Sequence, residues 1–173
     1  MILQFLANGL AMGALYGLLG LGFSLIYRTT RIFHFAHGAV FTCGGYLLWT
    51  LHGRLPLPAA VLGAVAGSAL CGLLVYACAY RPLDKRRAPL PAYIIASLGA
   101  YLLIQNAIAA AFGNDARAVA TTFGTLRLGG VILTEVQAWQ IACFAALGLV
   151  TAAFLSWTAA GKVLRAMAFW MRR

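Results

Sequence analysis

The sequence predicts an all-α fold, a polytopic bundle of transmembrane helices with about five spans, and three observations predict it. Of 173 residues, 63% are hydrophobic and 9% charged, with a mean hydropathy of +0.88, whereas a soluble domain carries about a quarter charged residues. Five uncharged stretches, Ile2 to Tyr27, Ile32 to Leu51, Leu57 to Tyr80, Leu90 to Gly113 and Val136 to Ala160, each reach the roughly 20 residues that cross a bilayer as helix. These runs are continuously apolar rather than alternating. That excludes barrel strands, and in hydrocarbon the backbone polar groups can then be satisfied only within a helix.

The first span carries Gly9, Gly13 and Gly17, a series that lines one helical face with residues lacking side chains, and Tyr16 is its candidate polar residue. Another helix can approach such a face closely; tight packing and helix tilting are both open readings, with packing favoured. The N-terminus lacks a basic leader region and the apolar run exceeds a signal-peptide core, so the span is expected to stay in the mature protein.

After the cationic Arg28 to Arg31 turn, the second span opens on His34-Phe35-Ala36-His37-Gly38. Polar residues at its start predict a broken helix. Two imidazoles spaced by three share a helix face, but a metal site needs further ligands, so hydrogen bonding between helices is the expected role, with Gly38 permitting a break or a close approach. The third span repeats the small-residue device with Gly63, Gly67 and Cys71 on one stripe. The fourth contains Gln105 and Asn106.

Between the fourth and fifth spans lies the longest loop, Asn114 to Glu135, where Gly129-Gly130 separates two β-prone runs and predicts a short external hairpin. A docking surface and a lid over the bundle are equally open for it. Cys43, Cys71, Cys78 and Cys143 all fall within apolar spans without a CxxC pair, which reads as small buried hydrophobes rather than a metal or redox site.

Cations collect after the odd-numbered spans, with ten Lys and Arg there (Arg28, Arg31, Arg81, Lys85, Arg86, Arg87, Lys162, Arg165, Arg172, Arg173) against Arg54, Arg117 and Arg127 in the opposite loops. Short cation-rich loops stay cytoplasmic, so the N-terminus is expected outside and the C-terminus in the cytoplasm. The net charge of +10 is spread by topology instead of forming one basic face, which points to membrane lipid and away from nucleic acid.

Missing chemistry narrows the function. The three carboxylates, Asp84, Asp115 and Glu135, all lie in loops, whereas proton-driven pumps and intramembrane proteases place ionisable groups at membrane depth. No nucleophile with a base, and no set of metal ligands, is recognisable, so no catalytic or metal residue is expected. Gly161-Lys162 is followed by Val163 and lacks the P-loop pattern. Energy for transport must come from a partner, or the protein conducts passively.

His34-Phe35-Ala36-His37-Gly38 closely resembles the Asn-Phe-Ala-His-Gly motif of the permeases that import branched-chain amino acids through ABC transporters. Asn8-Gly9-Leu10, Tyr80-Arg81-Pro82-Leu83, Gln105-Asn106 and Gly161-Lys162-Val163-Leu164-Arg165-Ala166 follow that family's order. The resemblance implies a permease subunit in the bacterial inner membrane, working with a second permease subunit, two cytoplasmic ATPase subunits and a periplasmic substrate-binding protein. No cofactor would sit in this chain, because ATP would be bound by the ATPase partners.

Tyr16, His34, His37, Gln105 and Asn106 are the candidate lining of the substrate path, and Gly161 and Arg165 the candidate ATPase-side contact. Two departures stand out: His34 replaces the family's asparagine, and family members continue past the Gly161 to Ala166 segment into a coupling loop and further spans. Residues 1–173 are therefore expected to be a partial, truncated permease domain. The alternative is a non-transporting membrane fragment or assembly protein.

Overall fold

The computed structural model describes residues 1–115, 124–128, 130–158 and 161–162. Its elements are α1 (Ile2–Thr30), α2 (Ala36–His52), α3 (Leu57–Val75), a π-helical turn (Tyr76–Tyr80), α4 (Arg81–Lys85), α5 (Leu90–Phe112), β1 (Thr125–Leu128), β2 (Val131–Thr134) and α6 (Glu135–Trp157). Among the described residues, four helical stretches are long and apolar enough to cross a membrane: Ile2–Thr30, Leu57–Lys85, Leu90–Phe112 and Glu135–Trp157. Large apolar side chains such as Phe5, Leu62, Leu103 and Leu149 stand exposed along them, as expected of a helical membrane fold whose solvent is lipid.

The expected second span differs. Residues 32–35 are not helical, and α2 has 17 residues, about 26 Å of helix against a hydrocarbon core of about 30 Å. The break follows from the end of α1, where Arg31 adopts a left-handed conformation (φ 57°) and its N–H closes the last turn on Tyr27. The Thr29 and Thr30 hydroxyls donate back onto the Leu25 and Ile26 carbonyls of their own helix, the local bonding by which a hydroxyl is satisfied within an apolar helix.

The third span runs further than the charge pattern suggested, through Arg81 and Asp84 to Lys85. Pro82 is the cause of its irregularity. A proline ring collides with the carbonyl four residues earlier in a regular helix, and the preceding turn widens, with the Arg81 N–H bonding to Tyr76. Prolines also set the starts of α3 and α5, which have Pro56 and Pro89 at their N-caps and a second proline inside the first turn, where a missing N–H costs nothing.

The chain divides into two compact units. One comprises Met1–Arg31 with Thr121–Arg173; within it α1 packs on α6, and β2 touches both. Ala11 and Ala14 are its buried small residues on α1, and Gly17 lies under Phe144, where a Cβ would come within 2.5 Å of the ring. Among the described residues nothing lies within 4 Å of where a Cβ on Gly9 or Gly13 would stand.

The expected hairpin is present, with Thr125 paired to Thr134 and Leu128 to Val131. Gly130, at φ 87°, supplies the positive φ that a tight hairpin turn demands. This register turns the N–H and C=O of Ile132 away from β1, and the Gln4 amide takes both, each at 2.8 Å. Thr134 and Gln137 then form a reciprocal capping box that starts α6.

The other unit is Ile32–Ala120. Here α2 packs antiparallel against α3 and also against α5. Leu51 covers Gly63 and Leu47 covers Gly67, so close that a Cβ on either glycine would stand 2.7 or 2.6 Å from a leucine methyl. Ala36, Ala39 and Ala60 have no exposed surface. At the far end of α2, Tyr46 and Trp49 pack on Phe112, with ring centroids 4.9 and 6.1 Å apart.

Candidate functional site

Polar groups gather where the chain enters α2. His34, in the non-helical approach, shares a hydrogen bond through Nδ1 with the Tyr80 hydroxyl, and the two rings meet edge to face at 5.4 Å. The π-helical turn brings Tyr80 to this position, since an extra residue per turn shifts the face that the following side chains present. Ser97 of α5 stands beside the Tyr80 side chain as well.

Ser97 is fully buried, and its hydroxyl accepts the N–H of Ala36, the first residue of α2, at 3.2 Å. Ala36 has no exposed surface, so its donor is cut off from solvent and needs this partner. His37 completes the cluster, its ring 6.5 Å from that of His34. The segment is thereby held to two other helices at its first turn.

Beside the cluster, Tyr93 of α5 faces Tyr80 at 6.1 Å and donates its hydroxyl to Asp84 Oδ1 at 2.7 Å. Asp84 belongs to the short helix that carries Arg81 and Lys85, with Arg86 and Arg87 after it, all four exposed. The polar cluster and the strongest concentration of cations therefore share one end of this unit.

The structure separates the remaining candidates. Gln105 and Asn106 sit on α5 eight and nine residues beyond Ser97, about 12 Å along the helix axis, and Asn106 donates to the Leu102 carbonyl of its own helix at 2.7 Å. Tyr16 belongs to the other unit and is 70% exposed. Gly38 is exposed, with open space where a Cβ would stand, and the buried members of that segment are Ala36 and Ala39. Gly161 is buried, donates its N–H to the Thr158 hydroxyl at 3.0 Å, and a Cβ there would stand 2.6 Å from the Leu155 Cα. Arg165 lies outside the described residues.

Sequence reasoning missed Tyr80, Ser97 and Asp84–Tyr93 as parts of one network. A signal for Ser97 was available: a hydroxyl within an apolar span needs a partner on its own or a neighbouring helix. Tyr80 could not be placed from spacing, because a helix of uniform pitch misplaces every residue after the widened turn.

A family profile described as branched-chain amino acid transport system, permease component, matches residues 5–169. The chain belongs to the branched-chain amino acid transport permease family. It is 29% identical to the high-affinity branched-chain amino acid transport system permease protein BraD of Pseudomonas aeruginosa, over 78% of this chain and 48% of that protein. It is 26% identical to the corresponding protein LivH of Escherichia coli, over 96% of this chain and 58% of that one. This permease-family chain thus spans about half to three-fifths of the length of these relatives. No solved structure matches it.

The family is one of transport permeases and not of enzymes. Membership accounts for the four apolar crossing helices. In this permease chain the motif histidines lie on the non-helical approach and first turn of α2.

Proposed function

We propose that the chain is a membrane-spanning permease subunit of an ABC importer for branched-chain amino acids or closely related small amides or acids. The observation that carries this reading is the family match along residues 5–169, joined to relatives named for high-affinity branched-chain amino acid transport. Energy would come from two cytoplasmic ATPase subunits, since this chain has no P-loop. A second permease subunit would complete the pathway, and a periplasmic binding protein would deliver substrate to the side bearing Met1 and the hairpin.

Cation placement supports an orientation in the inner membrane with the N-terminus outside and the C-terminus in the cytoplasm. The polar cluster then lies at the cytoplasmic end of its unit, beside Arg81, Lys85, Arg86 and Arg87. His34 is engaged by Tyr80, which favours a helix-tying role for it. His37, Gln105, Asn106 and Tyr16 remain the proposed polar lining, and Gly161 with Arg165 the proposed ATPase-side contact.

The test is uptake of labelled leucine in cells lacking their own branched-chain importers and supplied with this chain, the second permease, the ATPases and the binding protein. Accumulation that requires both this chain and ATP hydrolysis supports the reading. Co-purification of the chain with the other subunits without accumulation overturns it and favours the assembly role.

A further inference from the structure

The contact between α2 and α3 is a pair of stripes, each advancing by four residues, the spacing that keeps side chains on one helix face. Along it Leu51 meets Gly63, and Leu47 meets Gly67. Ser68, one residue on, meets Gly44 at 2.5 Å from where a Cβ would stand, which fixes the antiparallel register independently. The next step of both stripes brings Cys43 opposite Cys71. The same register sets the two thiols against each other, both unoxidised and half-buried. Two large-on-small pairs are followed by a matched pair of thiols.

We propose that Cys43 and Cys71 form a cross-helix dithiol, a redox modification site at which a lipid-permeant two-electron oxidant joins α2 to α3 through a disulfide. Cys71 stands 14 residues from each end of the apolar helix Leu57–Lys85, at its middle. Water-soluble thiol buffers reach that depth poorly, so the oxidant class that suits the site is one that partitions into lipid, such as a quinone or a permeant azo compound. With the azo compound diamide, one sulfur, as thiolate, adds to a nitrogen of the N=N bond while the other nitrogen takes a proton. The second sulfur, as thiolate, then attacks the first, the S–N bond breaks as the S–S bond forms, and the released nitrogen takes the second proton. Two thiols become one disulfide, and the azo compound becomes a hydrazine.

The site is tested on the full chain reconstituted in lipid vesicles, treated with diamide, denatured and counted for free thiols, with mass spectrometry of the digest. Free thiols fall from the four of the sequence to two. Cys43 is found linked to Cys71, dithiothreitol restores all four, and the exposed Cys78 and Cys143 stay free. Cys43→Ser leaves Cys71 free after treatment. Should that variant fail to fold, the doubly substituted Cys78→Ser, Cys143→Ser chain, altered only at exposed positions, loses both of its remaining thiols together. Retention of a free Cys71 in the diamide-treated native chain, or its linkage to Cys78 or Cys143 in place of Cys43, overturns the proposal.

Discussion

Ser97 binds the first N–H of α2 where neither group reaches solvent. Removing the hydroxyl strands a buried donor, which costs about 1–3 kcal/mol, more than the loss of a bond between exposed partners. Ser97→Ala is expected to lower the unfolding free energy of the chain in detergent by that amount. A change below about 0.5 kcal/mol would mean that another acceptor reaches Ala36. Substituting Ala36 itself with Leu overpacks the same contact and is expected to cost about 1–3 kcal/mol, read by the same unfolding measurement. Tyr80→Phe removes the partner of His34 while keeping the ring; under the proposed function it is expected to reduce leucine uptake, with the amount of chain in the membrane unchanged. The histidines were legible because polar groups in an apolar run stand out. Their partners were not, because Tyr80 depends on a widened turn that Pro82 enforces and that no uniform helical period describes.

At the scale of elements, apolar length announced the four crossing helices, and Gly129-Gly130 announced the hairpin. Spacing did not reveal which glycines of α1 meet another helix. The series Gly9, Gly13, Gly17 marks a face by its own period, but contact is decided by the partner, and Phe144 of α6 stands over Gly17 alone. Gly17→Ala forces that ring to move and is expected to destabilise the α1–α6 pair by about 1–3 kcal/mol. Gly13→Ala meets nothing within 4 Å among the described residues and is expected to be neutral or to gain up to about 1 kcal/mol from helix propensity. Thermal denaturation of the two variants in the same detergent checks the contrast, and equal effects would place Phe144 elsewhere. On α3 the stripe of Gly63 and Gly67 was legible, whereas the leucines of α2 that fill it follow from the pairing of two helices.

Across the whole molecule, charge placement predicts which loops face the cytoplasm, and the structure adds a constraint of its own. Because Gln4 holds the backbone of Ile132, the start of α1 and the hairpin share one side of the membrane. In a chain whose native cysteines are replaced by serine, Thr125→Cys and Ile2→Cys are expected to react with an impermeant maleimide on intact cells, and Arg86→Cys only after permeabilisation. Exchange of all three patterns would reverse the orientation; labelling of Ile2→Cys and Thr125→Cys from opposite sides would exclude the Gln4 contact. That the second segment crosses incompletely as helix, with 17 residues after a non-helical approach, was foreshadowed by its polar start. Its true length depended on where Arg31 turns left-handed.

The pairing of α1 with α6 also sets a schedule for biosynthesis. Between Thr30 and Glu135, which bound the two helices, the ribosome adds more than a hundred residues, at about 5–20 residues per second a delay of roughly 5–20 s. Within that interval α2, α3 and α5 are completed one after another and can pack on one another as each is made, while Gly17 still waits for Phe144. Within its unit, the helix made first acquires its partner helix last, and its 29-residue apolar length suits it to wait in the bilayer until α6 is made.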